Sequence, residues 1–223
     1  MAGYELIGTA PVPDGVELRL MRRGEEFTIA LDRNELMSTR LSASEEALAT
    51  LTAARLGARS EPQWLIGGYG MGFTLRAALA ELGADAGIVV AELVPEIIDW
   101  ARGPMDALTA GCLDDPRVTL VHEDVAVLID AANAGYDAIL LDVDNGPDGL
   151  VRPANDYLYS PAGLGAAMRA LKPSGILAVW SSDPNPAFTR ALNQASFAVE
   201  EEVVRARANG KGARHNIWFA RRP

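Results

Sequence analysis

From Trp64 onward the chain alternates between short, wholly apolar runs and longer stretches whose apolar residues return every three or four positions. The first is the pattern of strands buried on both faces, the second that of helices covering them. Trp64-Leu65-Ile66 opens the series and runs into a glycine-rich turn, after which Leu75, Ala78, Leu79 and Leu82 recur at helical spacing. Further strands are predicted at Ile88–Ala91, Val118–Val121, Tyr136–Leu141 and Ile176–Trp180. Between them lie helices led by Val94-Pro95-Glu96, by Asp124-Val125, by Ser160-Pro161, which should stop at Lys172-Pro173-Ser174-Gly175, and by Ala187. Two last strands, Ala198–Ala208 and Asn216–Ala220, flank the turn-forming Asn209-Gly210-Lys211-Gly212. Alternation of this kind implies an open α/β sheet, mostly parallel, with helices on both faces and an antiparallel hairpin at its end.

Ahead of this body, Val16–Arg22 and Glu26–Leu31 alternate apolar and polar residues around Arg23-Gly24-Glu25, which predicts a β-hairpin that must lie on the main body. Ser42, with Glu45 three residues on, predicts a capped helix running to Leu56. The expected division is a hairpin element over 1–41 and a single α/β domain over 42–223.

Candidate chemistry collects where the predicted strands end. In an open parallel sheet, ligands sit beyond the carboxyl ends of the strands. Gly67, Gly68, Gly70 and Gly72 follow the first strand, Glu92 the second, Asp124 the third, and Asp142 with Asp144 the fourth. Glycines let a backbone approach a ligand closely, and an acid twenty residues beyond the turn can accept both hydroxyls of a ribose. Asp124 could accept from an exocyclic adenine amine or simply cap the helix behind it. Glu45 and Glu46 open a helix, where acids also complement its dipole. The long loop to Ser160, holding Arg152, Asn155, Asp156, Tyr157 and Tyr159, has the length of a binding loop.

Composition narrows the partners. The 223 residues carry 20 basic and 30 acidic side chains, a net charge of -10, which disfavours a nucleic-acid partner and suits a cationic one. The single cysteine, Cys112, rules out an internal disulfide, and no apolar run approaches a membrane span, so a soluble cytoplasmic protein is expected. His122 and His215 and the scattered acids lack the spacing of a metal site. His122 is expected to pack or cap, and Trp180 and Trp218 to sit in the core.

Taken in order, Leu-Ile-Gly-Gly68, Val-Val-Ala-Glu92-Leu93, Glu-Asp124-Val125, Tyr-Asp-Ala-Ile-Leu-Leu-Asp142, Leu158-Tyr159 and Leu-Lys-Pro-Ser-Gly175 make the chain resemble the spermidine synthase family, within the class I S-adenosylmethionine-dependent methyltransferase superfamily. The resemblance implies a Rossmann-like, seven-stranded sheet whose last strand is antiparallel, preceded by a small β-element. It implies ribose binding by Glu92, adenine binding by Asp124, and deprotonation of an attacking amine by Asp142. Gly67, Gly68, Gly70, Gly72, Leu93 and Val125 would complete the cofactor site. Asp144 and Tyr159 would join Asp142 in catalysis, and Glu45, Glu46, Asp144 and Tyr157 would face the acceptor.

The departures from the family pattern are specific. Where the family's turn reads Gly-Gly-Gly-Asp-Gly, with the aspartate holding the aminopropyl end of decarboxylated S-adenosylmethionine, this chain has Gly70. The loop after Asp142 is two residues shorter than the family form, and the tyrosine expected near Ser44 is absent. Loss of the turn acid removes a reason to reject a cofactor that keeps its carboxylate. The expectation is therefore methyl transfer from S-adenosylmethionine to a small amine-bearing acceptor. Aminopropyl transfer to a diamine, a non-catalytic nucleoside-binding protein and an NAD-dependent dehydrogenase are the alternatives, and a homodimer is a candidate assembly.

Overall fold

The computed structural model describes residues 3–12, 17–31, 34–143 and 156–223. Four strands come first: β1 (Glu5–Pro11), β2 (Glu17–Arg23), β3 (Glu26–Leu31) and β4 (Asn34–Ser38). The main body follows as α1 (Ala43–Leu56), β5 (Gln63–Gly67), α2 (Phe73–Glu81), β6 (Gly87–Ala91), α3 (Pro95–Arg102), α4 (Asp106–Thr109), β7 (Val118–Val121), α5 (Val125–Ala131) and β8 (Tyr136–Leu141). It closes with α6 (Asp156–Tyr159), α7 (Pro161–Ala170), β9 (Leu171–Ser181), α8 (Pro186–Gln194), β10 (Ala198–Arg205) and β11 (Arg214–Arg221).

The seven-stranded sheet has the order β10-β11-β9-β8-β5-β6-β7. The strands β9, β8, β5, β6 and β7 are parallel, and β11 and β10 are added antiparallel at one edge. The expected fold class is the one observed. After β5 the chain winds outward through β6 and β7, then returns to lay β8 on the other side of β5. That reversal opens a crevice beyond the carboxyl ends of β5 and β8, where a bound group meets little backbone.

Alternation of side chains along each strand divides the core in two. Ile66, Leu140, Trp180 and Ile217 face α1, α2 and α3, whereas Leu65, Leu141, Val179 and Trp218 face α7 and α8. Both expected core tryptophans are there.

The N-terminal hairpin is larger than predicted. β2 and β3 form it, but β1 pairs with β2 and β4 with β3, giving a four-stranded antiparallel sheet. Leu18, Leu20 and Ile29 from this sheet join the same continuous core as Ile66, Ile88 and Trp100. Four strands succeed where two would not, because each added strand brings apolar area to cover. β1 and β4 alternate only weakly, which left them unseen.

Two boundaries also move. Lys172–Gly175 does not separate helix from strand: β9 begins at Leu171, and the register against β8 shifts between Tyr136 and Ala138 to absorb the extra residues. Ser42 makes no side-chain cap and has helical dihedrals itself. β10 ends at Arg205, three residues earlier than predicted. Among the described residues no helix is long and apolar enough to cross a membrane.

Candidate active site

Glu92, Gly68, Gly70, Asp124 and Asp142 converge on one cleft at the carboxyl ends of β5, β6, β7 and β8. Leu93, Val94 and Val125 line it from the main sheet, and Val12, Leu18, Ile29, Leu36 and Met37 roof it from the N-terminal sheet. The walls are mostly apolar with a few placed polar groups, the makeup of a small-molecule site.

Glu92 is 5% exposed and sits at the centre of this wall. One carboxylate oxygen accepts the backbone N–H of Tyr69 at 2.9 Å and the other that of Val94 at 2.8 Å. Burial raises its pKa, and the surrounding backbone N–H groups work against that rise. The bonds from Tyr69 and Val94 fix the aim of the carboxylate at the cleft wall.

The glycine turn divides into two functions. Gly68 and Gly70 line the cleft with φ of +84° and +56°. A Cβ on Gly68 would meet the carbonyl oxygen of Asp142 at 2.6 Å, so only glycine lets the turn lie against the β8 loop. Gly67 and Gly72 do not line the cleft. Gly67 packs under Val125, and Gly72 starts α2 beside the ring of Tyr69. Tyr69 turns inward, buried, with its hydroxyl 3.4 Å from Cys112 Sγ. It anchors the turn, and burial holds its own pKa far above the ordinary range.

Asp124 fills the capping role predicted for it and also stands where it was expected to meet a ligand. Its Oδ1 accepts the N–H of Ala126 at 2.9 Å and caps α5, while the residue also lines the cleft. Asp142 lies past the turn from Glu92. Its Oδ2 accepts the hydroxyl of Thr74 at 2.7 Å, and burial pushes its pKa up to about 6. Thr74 Oγ1 also lies 3.2 Å from the carbonyl oxygen of Glu45, which bridges α2 to the first turn of α1. Glu45 is therefore beside Asp142, and burial together with that neighbouring charge raises its pKa well above the usual carboxylate range. Glu46 stands next to Glu45 and adds to the same field. Thr74 escaped sequence reading because a threonine in a helix pattern carries no mark of a partner 68 residues away.

The two tyrosines part company. Tyr157, expected at the acceptor, donates its hydroxyl to Asp130 on α5 at 2.6 Å. Tyr159, expected in the catalytic set, packs edge-on against Phe188 with its hydroxyl 3.4 Å from the carbonyl oxygen of Val143. Tyr159 thus reaches Val143, which lines the cleft, from the α7 and α8 side of the sheet. Asp144 falls outside the described residues. His122 is exposed. His215 is buried, with Nδ1 2.8 Å from Ser44 Oγ.

The model of the spermine/spermidine synthase domain matches residues 64–197, more than half of the chain. The chain belongs to the spermine/spermidine synthase family. It is 33% identical over 171 residues to a polyamine aminopropyltransferase of Mycobacterium tuberculosis, covering 75% of this chain and 31% of the relative. It is 39% identical over 114 residues to putrescine N-methyltransferase 4 of Nicotiana tabacum, covering 51% of this chain and 28% of that one. The chain thus spans about a third of the length of the curated relatives it matches. The crystal structure of spermidine synthase from Thermotoga maritima superimposes with a TM-score of 0.75 at 20% identity, covering 98% of this chain and 73% of that one. The last likeness is one of fold.

Proposed function

We propose that this protein transfers an aminopropyl group from decarboxylated S-adenosylmethionine to a small amine-bearing acceptor. The observation that carries this reading is the charge of the cleft. Among the described residues that line it, every charged one is acidic: Glu92, Glu123, Asp124 and Asp142. A cofactor that retains its carboxylate would place an anion among acids with no cation among the described lining residues to receive it, whereas the decarboxylated cofactor offers only positive charge. The place left by the missing turn acid is not open either, since a Cβ at Gly70 would lie 3.0 Å from Met37 Sδ. The preference for methyl transfer is therefore reversed, and the aminopropyltransferase relative supports the same choice.

The residues fit such a donor. Glu92 would hold the ribose, Asp124 the adenine edge, and Gly68 and Gly70 would let the chain approach the sulfonium. A sulfonium donor supplies an electrophilic carbon and leaves as a neutral thioether. Asp142 takes the proton that the acceptor ammonium must lose before its nitrogen can attack. A base poised near 6 is mostly ionised at neutral pH and still basic enough for that task. Glu45 and Asp142 also favour the cationic acceptor and the positive charge that develops on its nitrogen. Alignment of the two partners along the sheet edge supplies the rest.

Methyl transfer is the second reading, favoured by Gly70 itself and by the putrescine N-methyltransferase relative. Incubation of the protein with 1,4-diaminobutane and each donor in turn, followed by mass spectrometry of the amine, separates the two. An aminopropylated amine supports the first reading, and an N-methylated amine overturns it in favour of the second.

A further inference from the structure

A cavity of about 420 Å³ lies at the amino ends of β5 and β6, the opposite edge of the sheet from the cleft. No described residue lines both, so this cavity stands independent of which group the cleft transfers. Its volume falls within the range of small-ligand pockets, about 300–1,000 Å³. Ala54, Leu56 and Gly57 come from the end of α1, Glu81 and Leu82 from the end of α2, and Trp64 from β5. Trp64 is 1% exposed, and its indole Nε1–H is buried with no hydrogen-bond acceptor among the described residues. A buried donor left unpaired is costly, so this one calls for an acceptor from the cavity its ring lines. The electrostatics select the rest of the partner. Both helices present their negative ends here, and Glu81 and Asp85 add carboxylates. Arg59, the basic residue among those described as lining the cavity, is held by Asp137 at 3.2 Å and by the carbonyl oxygen of Ser174 at 3.1 Å.

We propose that this cavity is a second binding site, for a small amino amide: an ammonium joined by a short chain to an uncharged carbonyl. The carbonyl oxygen accepts the Trp64 Nε1–H, and the ammonium lies against the carboxyl ends of α1 and α2 beside Glu81 and Asp85. Leu56 and Leu82 suit the methylene chain between them. Each half of the ligand excludes a neighbouring class. A simple amine cation satisfies the helix ends but offers no lone pair to the indole. An amino acid offers one, but its carboxylate would face two helix C-termini and two acids. A neutral amide serves the indole and leaves the negative end of the cavity without a cation.

The test is NMR titration of N-(4-aminobutyl)acetamide, butylamine and N-butylacetamide into the whole protein, read on the assigned indole Nε1–H signal of Trp64. The amino amide should move that signal downfield saturably and bind about tenfold or more tightly than either control. Trp64→Phe, followed on the backbone amides of Gly57 and Gly83, should bind it about tenfold more weakly. Should that variant not fold, Glu81→Gln, at the exposed end of α2, supplies the second arm: its midpoint should rise about threefold at low salt. An indole signal that does not move, the result for a cavity that holds water only, overturns the proposal, as does equal movement with all three compounds. A midpoint in Glu81→Gln equal to that of wild type overturns it as well, since the ammonium would then lie elsewhere.

Discussion

At the scale of single residues the site is organised by one carboxylate and one hydroxyl. Asp142 is raised by burial and pulled back by Thr74, whose hydroxyl stabilises the charged form. Activity should therefore climb with pH through an acid limb near 6, as Asp142 loses its proton and becomes a base. Thr74→Val removes the stabilising bond, so the limb should move to higher pH, and a pH–rate profile reads the shift directly. Asp142→Asn should lower kcat by about 10²–10⁴ while leaving donor affinity within a small factor, because a general base acts in the chemical step. A full-rate Asp142→Asn enzyme would remove the base assignment. The same elevation has a stability consequence. Between the ordinary carboxylate pKa and about 6 the folded protein binds more protons than the unfolded chain, so stability from this group falls as pH rises through that window. Asp142→Asn should thus be at least as stable as wild type above it.

Glu92 was legible from spacing alone, since an acid at the end of the second strand has few structural duties. Thr74, Tyr69 and Met37 were not. Each acts through a partner brought near by the fold, Thr74 on Asp142, Tyr69 on Cys112 and Met37 over Gly70. Tyr157 was misread for the complementary reason. An aromatic residue in a loop beside a catalytic acid looks functional until the sheet face it belongs to is known.

At the scale of elements, the strand-end turns do the positioning. Gly68 is the tightest of them, and Gly68→Ala must both leave a left-handed conformation and push against the backbone carbonyl of Asp142. A loss of about 1–3 kcal/mol is expected in thermal or denaturant unfolding, with weakened donor binding. Asp124 offers a separable pair of duties. Asp124→Ala should cost about 1 kcal/mol through the lost cap on α5, whereas Asp124→Asn keeps a capping oxygen and should mainly reduce donor affinity. If the two variants lose stability equally, the cap is not the structural role of this side chain. The strands of the main sheet were readable because each is a continuous apolar run. β1 and β4 were hidden because half of each faces solvent and their partners are strands of the same small sheet.

At the scale of the molecule, the N-terminal sheet and the parallel sheet share one core, in which Leu20 and Ile29 lie with Ile88 and Trp100. Gly8 on β1 even leaves no room for a Cβ against the Trp100 indole on α3. A boundary at residue 41 therefore separates two architectures without separating two folding units. Scanning calorimetry should show one cooperative transition, and two resolved transitions would contradict this shared core. The same arrangement explains the cleft, because its roof is that sheet and its floor is the crevice where the winding reverses. The net charge of -10 pointed to a cationic partner, and its local expression is a cleft whose described charged residues are all acids.

That acidity is the central claim, and paired titrations of decarboxylated S-adenosylmethionine and S-adenosylmethionine into the protein at neutral pH and low salt test it most directly. The decarboxylated donor should bind about tenfold or more tightly, since burying an extra unpaired carboxylate among acids costs more than 1.4 kcal/mol. Equal or tighter binding of S-adenosylmethionine would contradict it.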